Sequence, residues 1–330
     1  MPQIKFDQPW WIGDLQEAAA IGDKLYICTG NIDPGFYNRI YALVFNKELA
    51  KTSGAGDFYA LVRNGKWTFD ALQSAAKTAT VDINGDSQMD DKDQYGLILN
   101  SYMSVDSFNN AFDIKFVEND KDGLPTLLPL SEHFTDAATA LREFARRSGN
   151  VHYVTESDLP GPQYTMFEEG RGLMLTSSLG NLQKMRGFEL DFGILPYPKW
   201  DEAQKDYISY AATDPVAGYC VPVTADAELA GCLLEALAYY GWEDVYPEYY
   251  ERALKGKNTR DDESAEMLDL IFDNLRFGFI QTYTHGIGEG NSPSMMLRNT
   301  IQNDIDIASE WAAKEELNKQ KIQEFIDALK

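Results

Sequence analysis

Along these 330 residues, short apolar runs bounded by turn residues are interleaved with longer segments of helical periodicity, and no flexible linker separates them. That alternation restricts the fold more than any other feature. Lys24–Thr29, Tyr41–Phe45, Tyr95–Leu99, Gly172–Leu175, Phe192–Leu195 and Gly218–Val223 read as strands. Thr68 is a good helix N-cap with Asp70 in the first turn, and Phe69, Leu72, Ala76 and Ala79 then share one face. Further helices are expected from about Thr135 (presenting Ala137, Leu141 and Phe144), from Asp226 (Leu229, Leu233, Leu237 and Tyr240) and from Asp262 (Met267, Leu268, Ile271 and Leu275). A last helical stretch runs from Pro293, a residue type favoured at a first helical position, with one break before Lys330. Strands mixed with helices predict an α/β protein with largely parallel sheets. Two lobes joined without a linker need several chain crossings, which together make a hinge.

Charge excludes one class of partner. Against 52 Asp and Glu stand only 29 Lys and Arg, a net charge of −23. A nucleic-acid binder needs basic residues to displace phosphate counterions. The longest apolar runs, such as Ala230–Tyr240, are too short to span a membrane and contain Glu235. Cys28, Cys220 and Cys232 are sparse, form no CxxC, and are each expected as a small buried hydrophobe.

The sharpest local motif runs from Asp82 to Asp93. Asp82, Asn84, Asp86, Asp90 and Asp93 place oxygens at loop positions 1, 3, 5, 9 and 12, and the Gln88 carbonyl takes position 7. Calcium takes six to eight hard oxygens on such a curved loop, so a structural Ca2+ is expected, pinning a helix to the strand at Tyr95. Ser87 stands where the EF-hand pattern has Gly, and Asp93 where it has Glu. The competing reading is a solvated acidic turn.

Catalytic constellations are weak. His133, His152 and His285 show no metal-ligand spacing. Ser74 and Lys77 fit an SxxK pattern on an amphipathic helix, without the motifs that accompany it in penicillin-binding enzymes. Gly286, Gly288 and Gly290 lack the strand context of a nucleotide loop. Acidic residues are too numerous for counting to exclude a glycosidase carboxylate pair, which stays open as an alternative. A calcium-dependent surface interaction protein is another.

Ordered segments carry a resemblance. They are Asp23-Lys24-Leu25-Tyr26; Leu43-Val44-Phe45-Asn46-Lys47; Leu61 to Leu72 with the Asp82–Asp93 loop and Gln94-Tyr95-Gly96-Leu97; Phe167 to Met174; Gly193-Ile194-Leu195-Pro196-Tyr197-Pro198; Ala217 to Pro222; and Tyr249 to Leu268. In this order they resemble the extracellular solute-binding proteins of family 1, the maltose-binding-protein-like receptors of carbohydrate ABC importers. The resemblance implies a two-lobed periplasmic-binding-protein-like fold of type II, with mixed sheets flanked by helices and a hinge between lobes. It puts residues 1–42 and 217–292 in the N-terminal lobe and 43–216 in the C-terminal lobe, with the helices of 293–330 packed on the latter. It implies a non-catalytic monomer that binds a carbohydrate and delivers it to permease subunits, with a lipid-anchored, extracellular parent. Family members carry a signal peptide and a first βαβα portion before the segment that resembles Met1–Trp11, so the N-terminal lobe is expected to be incomplete.

Carried over onto matching segments, the resemblance implies ligand contacts at Asp33, Tyr37 and Asn38; at Phe108, Asn109 and Asn110; at Ser177, Ser178 and Asn181; and at Asp214 and Met295. Maltose-binding relatives have tryptophans after the position of Met174, where this chain reads Thr176 to Asn181, which argues against a maltodextrin. Sugars need flat aromatic faces beside hydrogen-bonding groups. Trp10 and Trp11 are candidates for that surface, with a packing pair as the equal alternative. Trp67, Trp242 and Trp311 are expected in the core.

Overall fold

The structure, a computed structural model, describes residues 1–155, 161–212, 218–288 and 290–329. Its largest sheet has five strands: β1 (Tyr41–Asn46), β2 (Tyr95–Asn100), β3 (Val151–Val154), β4 (Gly172–Ser178) and β5 (Phe192–Leu195). They lie in the order β3-β2-β4-β1-β5. β2 runs parallel to β3 and β4, with Leu97 opposite Val151 and Met174. β1 is antiparallel to β4 and β5, with Tyr41 opposite Ser178 and Leu43 opposite Leu195. β1, β2 and β5 are buried at every residue, because both sheet faces are covered, and this is why their sequences are continuously apolar rather than alternating. The expected α/β class and mixed sheet are present.

Local chemistry sets the helices that cover the sheet. Thr68 Oγ1 accepts the Ala71 N–H at 3.3 Å and starts α1 (Phe69–Ala79), which buries Phe69, Leu72, Ala75, Ala76 and Ala79. Gly96 on β2 lets that helix approach, since a Cβ there would lie 2.1 Å from Ala76 Cα. α2 (Met103–Ala111) follows β2. Ser131 caps α3 (Glu132–Arg147), whose Phe134, Ala137, Leu141 and Phe144 face the core. α4 (Ala227–Tyr240) and α5 (Asp262–Asp273) are capped by Asp226 and Asp261. The C-terminal stretch is α6 (Met296–Asn303) and α7 (Ile307–Leu329), broken at Asp304 in the left-handed region, φ 52°. Trp311 of α7 meets Phe134 of α3 edge to face, with centroids 6.2 Å apart, so the terminal helices share the main core. Trp67 and Trp311 are buried as expected, whereas Trp242 is half-buried.

Three passages of chain run side by side at one end of the sheet. Tyr41 N–H donates to Tyr210 O at 3.0 Å, and Ala212 N–H to Arg39 O at 3.0 Å. Ser209 N–H donates to Asn274 O at 2.9 Å, and Arg276 N–H to Ser209 O at 3.1 Å. Beyond these passages, residues 1–39 and 218–258 pack together through Trp11, Cys28 and Ala238 and through single bridges Trp11–Gly30 and Cys28–Tyr219. Their ordered β-structure among the described residues is a short hairpin, Ala20–Ile21 with Lys24–Leu25.

Three expectations fail in this second region. The α4 face of Leu229, Leu233, Leu237 and Tyr240 is exposed, not buried, because nothing in the described chain packs over it. Cys220 and Cys232 are exposed for the same reason, and only Cys28 is buried. The run Gly218–Val223 is not an extended strand but one bridge at Tyr219. Conversely, β3 was not legible as a strand.

Candidate functional site

The site is built at the carboxyl ends of β2, β3 and β4, beside the three passages, where open α/β sheets place their ligands. β2 ends at Asn100, whose Nδ2 donates to Thr176 O at 2.8 Å and whose N–H donates to Thr176 Oγ1 at 3.0 Å, locking β2 to β4. Ser101 N–H then donates to Val154 O at 2.8 Å, holding the chain to β3. The next residue, Tyr102, is turned into φ 64°, ψ −132°. A bulky residue at positive φ is strained by about 1–3 kcal/mol and persists only where its surroundings enforce it. Here the enforcement comes from Ser101 on one side and the first turn of α2 on the other.

The turn leaves Tyr102 41% exposed. Beneath it lies the Arg298 guanidinium, 5.1 Å from the ring centroid. Arg298 comes from α6, is buried, and is ion-paired with Asp106 of α2, with Nε 3.2 Å from Oδ1. Met103 Sδ lies near both Arg298 and the Tyr210 hydroxyl. The Tyr153 hydroxyl near the end of β3 is buried and has no hydrogen-bond partner among the described residues, and burial pushes its phenol up to about 12. The arrangement is an open aromatic face over a buried ion pair. It suits an uncharged ligand with a flat C–H face and hydroxyls better than an ionic one.

Most residues implied by the resemblance have polar groups engaged internally. Asn109 Nδ2 donates to Ser294 O at 2.8 Å, and Asn110 donates to Arg276 O at 3.0 Å and accepts from Gln281 at 3.2 Å. Phe108 and Met295 are buried. Ser177 and Asn181 both bond the Tyr164 hydroxyl, at 2.9 Å each, while Ser178 is half-exposed at the end of β4. Asp33 Oδ1 accepts from Gly35 N–H at 2.9 Å at the start of the 3-10 turn Pro34–Arg39. Tyr37 bonds Asn31, and Asn38 Oδ1 accepts from the Tyr249 hydroxyl at 2.6 Å. Asp214 lies outside the described residues. Trp10 and Trp11 donate their indole N–H groups to Glu235 of α4, at 3.2 and 2.9 Å. Trp11 is buried.

Tyr102, Asp106, Tyr153, Tyr210 and Arg298 were not singled out from the sequence. The segment after β2 was, so Tyr102 was within reach. Arg298 lies 192 residues from Asp106, and no local signal joins them. Two cavities also border the passages and meet at Arg276. One, about 510 Å3, lies between Glu17 and Asn110. The other, about 310 Å3, is lined by Trp11, Tyr37, Trp242 and Tyr246 together with Asn31 and Asp14.

The Asp82–Asp93 loop lies after α1 and away from these groups. Its carboxylates and amide cap backbone N–H groups: Asp82 those of Gly85 and Ser87, Asn84 that of Asp86, Asp86 that of Gln88, and Asp90 that of Lys92. Asp93 is buried and accepts from Asp90 N–H and Ile83 N–H, both at 2.9 Å, which holds its carboxyl below the usual range. Gly85 and Ser87 at positive φ curl the loop inward. Among the described residues no three acidic, His or Cys side chains gather closely enough to grip an ion as they stand. The donor set, hard oxygens on a curved loop, has the chemistry calcium requires.

The fold of this chain is shared with solved two-lobed solute-binding proteins. Neither a protein-family model nor a curated protein sequence matches the chain. Among solved structures, the GacH receptor of Streptomyces glaucescens, solved with acarbose, is similar at TM-score 0.59 and 14% identity, over 97% of this chain and 79% of that one. The substrate-binding protein Lmo0181 of Listeria monocytogenes, in complex with cycloalternan, gives 0.55 and 13%, over 98% and 76%. UgpB of Mycobacterium tuberculosis, in complex with glycerophosphocholine, gives 0.57 and 14%, over 98% and 76%. The chain has the fold of these receptors. No helix among the described residues is long and apolar enough to cross a membrane.

Proposed function

We propose that the chain is the binding receptor of an ABC importer for a neutral carbohydrate, working by capture and delivery rather than catalysis. The observation that carries this reading is the Tyr102 face held open over the Asp106–Arg298 pair at the carboxyl ends of the parallel strands. Bound sugars stack on such faces, and an internally balanced charge leaves hydroxyl recognition to neighbouring donors such as Tyr153. The fold supports the reading, since several solved structures that share it hold saccharides. In this reading residues 1–39 and 218–258 form one lobe and the sheet region, with α5 packed on it, forms the other, in place of the division at 217–292 that the resemblance implied; the lobes close about the passages on a cell-surface, monomeric receptor that a permease then senses.

A panel of maltotriose, raffinose, acarbose, tagatose and glycerophosphocholine, read by melting shift with product analysis, tests it. A shift with one saccharide and no new reducing ends is expected. Released reducing sugar would replace the receptor with a glycosidase. A shift with glycerophosphocholine alone would replace the sugar with a phosphodiester.

The Asp82–Asp93 loop is proposed to hold one structural calcium through Asp82, Asn84, Asp86, Asp90, Asp93 and the Gln88 carbonyl. Calcium is expected to raise the melting temperature and Asp82→Ala to abolish the rise. A melting temperature indifferent to EDTA leaves the loop as an acidic turn.

A further inference from the structure

The smaller of the two cavities at Arg276, of about 310 Å3, is walled by rings. Six of its fourteen lining residues are aromatic, Trp11, Phe36, Tyr37, Trp242, Tyr246 and Phe272, in a chain that is 12% aromatic, so composition alone does not gather them. They arrive from stretches far apart in sequence. Packing among the rings fixes the walls. Tyr37 stacks on Phe272, with centroids 5.4 Å and planes 19° apart, and meets Tyr246 at 5.2 Å. Trp242 leans on Trp10 at 5.9 Å, and Glu235 holds Trp10 and Trp11 by their indole N–H groups. The cavity shares no residue with the Tyr102 site.

Charge at its exposed rim is unbalanced. Asp14 and Asp273 stand there with Arg276, which pairs with Asp14 at 3.3 Å. Asp273 enters no ion pair among the described residues. It is also the last residue of α5, at the end of a helix where the macrodipole disfavours a carboxylate. Its charge therefore does nothing for the fold. A neighbouring phenol registers the negative field: burial, then Glu251, Asp269 and Asp273, push Tyr246 up to about 12. Aromatic faces carry the negative side of the ring quadrupole and add to that field.

Chemistry narrows the occupant. An anion is repelled by Asp273 and by the overall charge of −23. A hard metal ion takes about six oxygens or more, and two carboxylates line the cavity. A saccharide needs hydrogen-bonding groups along the wall, where the Asn31 amide oxygen is already taken by the Tyr37 hydroxyl. A small organic ammonium meets none of these objections: its methyl groups pack on rings, and its weakly hydrated charge is stabilised by π faces and a carboxylate. We propose that this cavity is a second ligand site, an aromatic cage for the quaternary ammonium of a small solute, with Trp11, Trp242 and Tyr246 as walls and Asp273 as counter-charge. Its volume lies at the lower end for small-molecule pockets, which suits a head group of choline's size. The site is independent of the saccharide reading.

Choline titrated into the 330-residue chain, followed by calorimetry and tryptophan fluorescence, tests the cage. Saturable binding with a fluorescence change is expected. Dimethylbutanol, the neutral carbon isostere of choline, should bind about tenfold more weakly. Asp273→Asn, at an exposed position, should weaken choline about threefold without lowering the melting temperature. Trp242→Phe keeps a ring for packing and should weaken choline as well, since phenylalanine is a poorer partner for a cation than tryptophan. An absence of saturable choline binding overturns the proposal. Equal binding of dimethylbutanol overturns it in favour of a plain apolar pocket, and choline binding unchanged in both variants places the ligand elsewhere and overturns it too. Displacement of choline by maltotriose overturns it in favour of a saccharide subsite.

Discussion

α4 and α5 are alike in sequence and opposite in burial. Each is opened by an Asp cap and carries an apolar stripe at helical spacing. α5 buries Met267, Leu268 and Ile271 in the sheet region, while the corresponding leucines of α4 face outward. Periodicity states which face a helix would bury. Whether that face is covered depends on a second layer that the helix does not encode.

Breaking this contrast is straightforward. In the sheet region Trp67→Ala removes a fully buried ring whose Nε1 donates to Pro196 O at 3.0 Å. A loss of about 3–5 kcal/mol is expected by urea unfolding. Tyr102→Gly should move the other way, since glycine accepts φ 64° freely; a gain of about 1 kcal/mol is expected, together with weaker saccharide binding by calorimetry. A loss of stability there would mean that the ring's packing on Arg298 outweighs the backbone strain.

His152 on β3 lies over Tyr95, with centroids 5.1 Å apart, and burial lowers its pKa from the ordinary value. The folded state therefore favours the neutral ring. Its contribution is complete above the unfolded value of about 6.5 and declines as pH falls below it. His152→Gln should flatten the melting temperature below about pH 6.5 relative to the parent. Smallest of all, Leu233→Ala on α4 should change unfolding by less than about 0.5 kcal/mol. A cost near that of a core leucine would show that the face is covered after all.

The strands legible in the sequence were those buried on both faces, because a continuous apolar run such as Tyr41–Phe45 has no other reading at that length. β3 escaped because it lies at the sheet edge, spans four residues and includes His152. Gly218–Val223 had the composition of a strand and lacked a partner to make it one. At the site, segments were readable and residues were not. The stretch after β2 was marked only through the family resemblance, at Phe108 to Asn110, and Tyr102 owes its place in the candidate site to its backbone angle and to Arg298 arriving from α6. The Asp82–Asp93 loop was fully legible as a motif, since its spacing is local, and its curl follows from Gly85 and Ser87.

The three side-by-side passages have a consequence for how such a chain can vary. Their bonds, from Tyr41, Ser209, Ala212 and Arg276, all join main chain to main chain. Side-chain replacement cannot delete a peptide N–H; among the natural residues only proline does that. The joint is thereby insulated from most point mutations. The surfaces it connects are free to drift in sequence, while the joint between them is inherited unchanged.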